Sequence, residues 1–104
     1  MAEFIQKTIK SKPVVIFSKT YCPFCTQVKA IFKRAGVPSD KITVVELDNR
    51  HDGVTIQDAL AKLTGARTVP RVFIGGETIG GCDDTSDLES SGTLVQKLEA
   101  AGAL

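Results

Sequence analysis

The sequence predicts an α/β fold in which one mixed, four-stranded sheet carries helices on both faces. Short apolar runs rich in β-branched residues alternate along the chain with helical apolar stripes. A helical pattern separates the first two runs, which predicts a right-handed crossover between parallel strands. Only Gly75-Gly76 separates the last two runs, which predicts an antiparallel hairpin. The expected element order is α-β-α-β-α-β-β-α-α.

Size and composition indicate one domain spanning residues 1–104. Hydrophobic residues make up 42% of the chain and charged residues 24%, as in an ordinary soluble globular protein. A net charge of +1 favours neither nucleic acid nor an anionic membrane as a partner. No stretch approaches the roughly 20 apolar residues that a membrane span needs. We therefore expect no nucleic-acid partner and no membrane partner.

The cysteine content bears on compartment and chemistry. The first seven residues, MAEFIQK, lack the apolar core of a signal peptide, so a reducing cytoplasmic setting is the expectation. Three cysteines are an odd number, which argues against a structural disulfide framework. In a reducing compartment, a Cys-x-x-Cys pair beside a βαβ pattern indicates redox activity or metal binding.

The first two helices and the strand between them are predicted from their apolar patterns. Phe4, Ile5, Thr8 and Ile9 share one face of a short opening helix that Pro13 closes. The continuous apolar run 14–17 predicts a buried strand. A helix from about 23 to 35 follows, with Gly36 in the position of a C-cap glycine. Its core-facing stripe consists of Cys25, Val28, Ile31, Phe32 and Ala35.

The middle of the chain repeats this alternation. The run 42–47 predicts a second strand, and the polar segment 48–53 predicts a loop. A second core-facing helix ends at Gly65. Its core-facing residues are expected to be Ile56, Ala59, Leu60 and Leu63.

The last third predicts the hairpin and two short helices. Pro70 directly precedes a strand that runs to residue 74, and a cis peptide bond is possible there. The second hairpin strand covers 77–79 and is broken by Gly80-Gly81. The segment 83–86 supplies N-cap candidates for a helix to about residue 90. A final helix after Gly92 is expected to turn Leu94, Val95 and Leu98 inward.

The segment from Tyr21 to Cys25 joins the first strand to its helix and carries the chemistry. Pro23 is best tolerated at the first helical position, which places Cys22 at the N-cap. The helix dipole and the nearby charge of Lys19 favour the thiolate of Cys22 over its thiol. Cys25 lies one turn further along, within disulfide reach and better shielded from solvent. We therefore predict that Cys22 attacks and that Cys25 resolves.

Three short segments in their order and spacing carry a family resemblance. They are Lys19 with Tyr21-Cys22-Pro23-Phe24-Cys25, then Thr68-Val69-Pro70, then Gly80-Gly81-Cys82-Asp83-Asp84. With them the whole chain resembles a glutaredoxin of the dithiol class, although Phe24 stands where Tyr is frequent. The resemblance implies a thioredoxin-type fold, glutathione as reductant and co-substrate, and reduction of protein-glutathione mixed disulfides.

The resemblance also implies a set of glutathione-binding residues. Similarity to the family places Lys19 and Gln57 at the glycine carboxylate and Tyr21 beside the substrate. Thr68 and Val69 lie just before the family's cis-proline, here Pro70, where backbone groups can pair with the substrate like an added strand.

The γ-glutamyl end of glutathione is assigned to a helix N-terminus. There Gly81, Cys82 and Asp83 would meet the substrate, since free N–H groups suit its carboxylate. The side chain of Asp83 can accept its ammonium group.

Thiol-disulfide exchange follows from this assignment. The thiolate of Cys22 would take glutathione from a mixed disulfide, and a second glutathione would regenerate it. In protein disulfides, Cys25 would resolve the covalent intermediate. The expected partners are glutathione, glutathionylated or disulfide-bonded proteins and, through glutathione, glutathione reductase. We expect the protein to be a monomer.

Three other functions are compatible with a Cys-x-x-Cys pair. A closed zinc site usually has four protein ligands, and beyond the Cys-x-x-Cys pair only Cys82 and His51 remain, so no metal is expected. Some glutaredoxins bridge a [2Fe-2S] cluster between subunits, but Pro23 resembles the enzymatic pattern. A colourless purified protein would argue against a cluster.

A glutathione-independent, thioredoxin-like reductase is less favoured because Tyr21 stands where thioredoxins typically carry Trp.

Overall fold

Five helices and four strands follow one another in the predicted order, and the computed structural model describes every residue from Met1 to Leu104. The helices are α1 (Ala2–Ile9), α2 (Pro23–Arg34), α3 (Gly53–Thr64), α4 (Cys82–Ser91) and α5 (Thr93–Ala100). The strands are β1 (Val14–Ser18), β2 (Ile42–Glu46), β3 (Arg71–Ile74) and β4 (Glu77–Gly80). Short 3-10 turns at Ser39–Lys41 and Leu47–Asn49 flank β2.

The four strands form the mixed sheet that the sequence predicts, in the order β2-β1-β3-β4. β1 is parallel to β2 and antiparallel to β3, and β4 pairs antiparallel with β3. Gly75 and Gly76 make the hairpin turn with φ angles of 60° and 81°, which side-chain-bearing residues rarely adopt. The parallel half of the sheet therefore comes from the helical crossover and the antiparallel half from the tight turn.

Alternate residues of β1 feed two separate hydrophobic cores. Val14 and Ile16 point to the face covered by α2 and α5, whereas Val15 and Phe17 point to the face covered by α1 and α3. Both sets are fully buried, because successive side chains of a strand point to opposite faces and each face carries helices. The first core also contains Val28, Ile31, Phe32, Leu94 and Leu98, and the second contains Ile5, Ile9, Ile56, Leu60 and Phe73.

Two of the residues expected in the core are on the surface. Leu63 is 46% exposed at the end of α3, where it borders a shallow groove against the start of α1. Val95 is 45% exposed, because α5 packs through the i, i+4 pair of Leu94 and Leu98. Val95 comes one residue after Leu94, so its side chain lies about 100° further around the helix and faces solvent.

Several element boundaries also differ from the expected ones. β4 includes Gly80, which was expected to break the strand, and α3 begins at Gly53, inside the expected loop. β2 ends at Glu46, and Leu47 begins a 3-10 turn instead of continuing the strand. That turn brings the carbonyl oxygen of Leu47 close to Gly53, where a Cβ atom would lie only 2.1 Å from it. The N-cap of α4 is Gly81, so the predicted N-cap candidates at 83–86 lie inside the first turn.

The arrangement brings three segments together at one end of the sheet. They are the β1–α2 junction, the loop before β3 and the start of α4, all of which carry residues of the resemblance. None of the helices combines the length and apolar character required to cross a membrane.

Candidate active site

Cys22 is the N-cap of α2, as the position of Pro23 predicts. Its backbone is extended, with φ −90° and ψ 115°, and Pro23 occupies the first helical turn. The sulfur of Cys22 accepts a hydrogen bond from the backbone N–H of Cys25 at 3.2 Å. A sulfur in this position meets the unpaired N–H groups and the positive end of the helix dipole. Both features favour a negative charge on the sulfur.

The two cysteines of the pair differ in burial as the sequence predicts. Cys25 is completely buried, whereas Cys22 is partly exposed. Burial raises the pKa of the Cys25 thiol, and its hydrogen bond with Cys22 adds to that effect. Hydrogen bonds from the backbone of Lys19 and the hydroxyl of Ser18 act in the opposite direction. Cys25 is therefore held as a thiol at neutral pH, while Cys22 remains accessible to a substrate.

The segment before β3 lies directly beside the reactive sulfur. The Val69–Pro70 peptide bond is cis, as the resemblance implies for Pro70. The Cys22 thiol lies 3.9 Å from the carbonyl oxygen of Val69 and donates toward it. Thr68 is exposed and Val69 is half-buried, so backbone groups of this segment are accessible next to the sulfur.

A cavity of about 300 Å³ opens beside this segment. It brings together six of the residues that the resemblance assigns to glutathione, namely Thr68, Val69, Pro70, Gly81, Cys82 and Asp83. Phe24, Arg71 and Asp84 complete its wall. The cavity thus joins the loop before β3 to the N-terminus of α4.

The N-terminus of α4 is held in place by its own first turn. The carboxylate of Asp84 accepts a hydrogen bond from the N–H of Gly81 at 3.0 Å. The buried hydroxyl of Thr85 donates to the carbonyl oxygen of Gly81 at 2.8 Å. Asp83, which directly precedes Asp84, makes no such bond and is exposed at the cavity. Its carboxylate is free to meet a cation.

Cys82 is a thiol of low reactivity at the edge of this cavity. Burial raises its pKa, and the negative charges of Asp83 and Cys22 raise it further. Its sulfur lies 3.5 Å from the side-chain oxygen of Gln27. These surroundings favour the neutral thiol, which is a poor nucleophile.

The remaining predicted site residues lie outside the cavity wall. Tyr21 is 71% exposed next to Cys22. Lys19 precedes it, and its carbonyl oxygen accepts the N–H of Cys22 at 3.1 Å. Gln57 is only 7% exposed, and its amide nitrogen donates to the carbonyl oxygen of Arg67 at 2.7 Å. Gln57 thus holds the chain immediately before Thr68.

A family model covers most of the chain. The model described as glutaredoxin matches residues 14–79, which include both cysteines of the Cys-x-x-Cys pair and the cis-proline. The chain belongs to the glutaredoxin family. It is a thiol-disulfide oxidoreductase of the dithiol class, and its fold is thioredoxin-like.

Plant glutaredoxins are among the most similar relatives. Over 99 residues, the chain is 50% identical to glutaredoxin-C6 of Oryza sativa and 52% identical to glutaredoxin-C2 of Arabidopsis thaliana. Each match covers 95% of this chain and 86% of the relative.

Two solved structures agree with the fold. A crystal structure of a buckwheat glutaredoxin-glutathione complex superimposes with a TM-score of 0.92 at 45% identity, covering 98% of this chain and 90% of that one. The holo form of glutaredoxin C1 from Populus tremula x tremuloides gives 0.91 at 43% identity, with 98% and 89% covered.

Three cavity residues of this glutaredoxin were not assigned from the sequence. They are Phe24, Asp84 and Arg71. The guanidinium of Arg71 lies so close to Gly81 that a Cβ there would be 2.8 Å from its nitrogen. The sequence contained one signal for Asp84. It stands three residues after Gly81, the spacing at which a side chain can accept the N–H of the residue that caps a helix.

No three Cys, His, Asp or Glu side chains of this glutaredoxin cluster as metal ligands would. Cys22 and Cys25 face each other at the start of α2, and His51 is exposed in the polar loop before α3. The chain's own side chains thus do not assemble a closed zinc site of the usual four ligands.

Proposed function

We propose that this glutaredoxin uses glutathione to reduce protein-glutathione mixed disulfides and protein disulfides through Cys22 and Cys25. The observation that carries the proposal is the position of one sulfur. The Cys22 sulfur accepts the Cys25 N–H at 3.2 Å and lies 3.9 Å from the Val69 carbonyl oxygen. A nucleophilic sulfur at a helix N-terminus therefore lies beside exposed backbone that can hold an extended peptide.

The charges of glutathione match the two ends of the site. Its γ-glutamyl carboxylate would lie at the free N–H groups of Cys82 and Asp83, at the start of α4. The carboxylate of Asp83 would accept the neighbouring ammonium group. The buckwheat protein, whose fold superimposes on this one, has been solved with glutathione, which supports glutathione as the ligand.

The glycine end of glutathione is assigned to the opposite side of Cys22. The ammonium of Lys19 would meet its carboxylate, and the second amide hydrogen of Gln57 would contribute. The first is already used on the Arg67 carbonyl. Tyr21, exposed beside Cys22, would cover the substrate from this side.

The first half-reaction needs only Cys22. Its thiolate attacks the glutathionyl sulfur of a mixed disulfide, the old S–S bond breaks, and the substrate protein leaves as a thiolate that takes a proton from water. The thiolate of a second glutathione then attacks the sulfur that is bound to Cys22. The products are glutathione disulfide and free Cys22, and glutathione reductase returns the disulfide to glutathione.

Protein disulfides require both cysteines. Cys22 forms a mixed disulfide with one substrate sulfur, and Cys25 displaces it by attacking Cys22. This second attack leaves a Cys22–Cys25 disulfide and a fully reduced substrate. We further propose that the protein acts as a monomer in the reducing environment of the cytoplasm.

A coupled assay tests the proposal. NADPH oxidation is followed with glutathione, glutathione reductase and a glutathione mixed disulfide of a small thiol, for the wild type and the two cysteine variants. We expect Cys22→Ser to be inactive and Cys25→Ser to keep most turnover. In parallel, reduction of a protein disulfide should be lost in both variants. Full activity of Cys22→Ser would refute the assignment.

A further inference from the structure

The hydroxyl of Ser18 is a buried polar group that the proposed mechanism does not use. Ser18 ends β1 and is completely buried. The one oxygen acceptor that its hydroxyl reaches is the carbonyl oxygen of Lys19, at 3.4 Å. Hydroxyl hydrogen bonds to oxygen are usually about 2.7–2.8 Å long, so this contact is weak. Buried hydroxyls normally have a good partner.

The fold directs Ser18 toward the first turn of α2. Residues of β1 alternate between the two sheet faces, and Ser18 continues the series of Val14 and Ile16. That series points to the face covered by α2. Cys25 lies in the first turn of α2 and is also completely buried. Ser18 and Cys25 are therefore both buried on this side of the sheet, where β1 ends and α2 begins.

We propose that Ser18 is a further catalytic residue, whose hydroxyl donates a hydrogen bond to the sulfur of Cys25 as that thiol becomes a thiolate. The inference rests on the proposed resolving role of Cys25. In that step, Cys25 loses its proton to water and its sulfur attacks the Cys22 sulfur. The Cys22–substrate bond breaks, and the substrate sulfur leaves as a thiolate that takes a proton from water. The negative charge develops on Cys25 inside the protein, where only nearby donors can stabilise it.

The electrostatics of Cys25 are consistent with this role. Burial raises the pKa of its thiol, and the Ser18 hydroxyl is one of the two hydrogen-bond donors that lower it. The other donor is the backbone of Lys19, which mutation of a side chain does not remove. Substitution of Ser18 should therefore change how easily the Cys25 thiol loses its proton, while both cysteines stay in place.

The ionisable groups around this pair are few. Cys22 precedes Cys25 on α2, and Lys29 follows it by one turn. Lys29 is paired at 2.9 Å with Glu46, which lies opposite Ser18 in the β1–β2 register. The second carboxylate oxygen of Glu46 is buried without a partner. Because Glu46 lies opposite Ser18, the experiment has to separate an effect through Glu46 from an effect through Cys25.

A two-phase reaction with the aromatic disulfide dithiobis-nitrobenzoate measures both cysteines in one experiment. Attack by Cys22 releases one coloured thiol and leaves the other bound to Cys22. Attack by Cys25 on Cys22 then releases the second. Under excess protein, stopped-flow absorbance separates the two releases, so the first phase reports on Cys22 and the second on Cys25.

We expect Ser18→Ala to slow the second phase about tenfold or more at neutral pH, as for the loss of one hydrogen bond to a charged group. The pH profile of that phase should move to higher pH by about one unit. The first phase should stay within about twofold. Ser18→Thr, which keeps the hydroxyl, should restore the second phase, and Glu46→Gln should leave it unchanged.

The outcomes separate the possible errors. An unchanged second phase and pH profile in Ser18→Ala would overturn the inference, as would a second phase that slows only in Glu46→Gln. If Cys25→Ser still shows a second phase, the resolving role of Cys25 is wrong instead. A fall of both phases in Ser18→Ala, together with a lowered free energy of unfolding, would mean a structural role and would also overturn the inference.

Discussion

The backbone N–H of Cys25 points at the sulfur of Cys22 and donates to it across 3.2 Å. One residue thus supplies two functions, because its main chain favours the anion on Cys22 while its buried side chain stays protonated. The pair is asymmetric before any disulfide forms. The difference arises from position alone, since Cys22 caps the helix and Cys25 lies one turn inside it.

Cys82 should be dispensable for turnover. Burial and the charge of Asp83 raise the pKa of its thiol, so at neutral pH it competes poorly with Cys22 for disulfides. We expect Cys82→Ser to keep its turnover of a glutathione mixed disulfide within about twofold of the wild type. Limited alkylation followed by peptide mapping should modify Cys22 well before Cys82. Faster labelling of Cys82 would contradict this ranking.

Asp83 should contribute to binding of the glutathionyl group. In Asp83→Ala, the Michaelis constant for a glutathione mixed disulfide should rise roughly two- to fivefold, the effect of losing an exposed ion pair. The turnover number should change little. Asp87→Ala is the matched control, because Asp87 is an exposed carboxylate on the same helix but outside the cavity. Equal effects of the two substitutions would remove Asp83 from the site.

Gly53 should be required for stability although it lies in a helix. Alanine favours a helix over glycine by up to about 1 kcal/mol. At this position its Cβ would lie 2.1 Å from the backbone oxygen of Leu47, so the turn after β2 must shift. Overpacking of this kind costs about 1–3 kcal/mol, and we expect Gly53→Ala to lower the free energy of unfolding by a similar amount. Denaturant unfolding measures it, with exposed Thr55→Ala as control. A stabilised Gly53→Ala would show that the turn adapts freely.

Asp48 should make the loop next to the site sensitive to acid. Hydrogen bonds from the hydroxyl and the backbone N–H of Thr20 lower the pKa of the Asp48 carboxyl. The resulting stabilisation is therefore fully present above about pH 3.9, the usual pKa of Asp, and is lost as the pH falls through the lower, folded-state pKa. Thr20→Val should raise the Asp48 pKa in an NMR titration.

Unfolding experiments check the sign of this effect. The stability difference between the wild type and Thr20→Val should be present at neutral pH and shrink in acid. Thr43→Val serves as the control, since the Thr43 hydroxyl pairs with Ser11 and not with a carboxylate. A Thr20→Val difference that grows in acid would mean that Asp48 binds a proton more tightly in the folded state.

Local patterns were sufficient to predict most of the fold. The apolar run of β1 and the stripe of α2 indicated their elements, and Gly75-Gly76 indicated the hairpin turn. Errors occurred where a contact between distant segments decides the outcome. Nothing near Leu63 or Val95 in the sequence shows how far the neighbouring helices extend to cover them.

The candidate site was likewise predictable where short motifs define it, and not where contacts between distant segments do. All of its predicted residues except Gln57 came from short motifs, and six of them line one cavity. Arg71 was harder to place, because its position against Gly81 depends on how β3 meets α4. Ser18 was overlooked because a serine at the end of a strand resembles any strand terminus. Its burial depends on the packing of α2 over β1, which the local sequence does not show.

The central claim is that Cys22 takes glutathione directly onto its own sulfur. The most direct measurement is mass spectrometry of the Cys25→Ser variant after incubation with a glutathione mixed disulfide. We predict one glutathione adduct that maps to Cys22 and is removed by free glutathione. An unmodified Cys22, or an adduct found only on Cys82, would contradict the account.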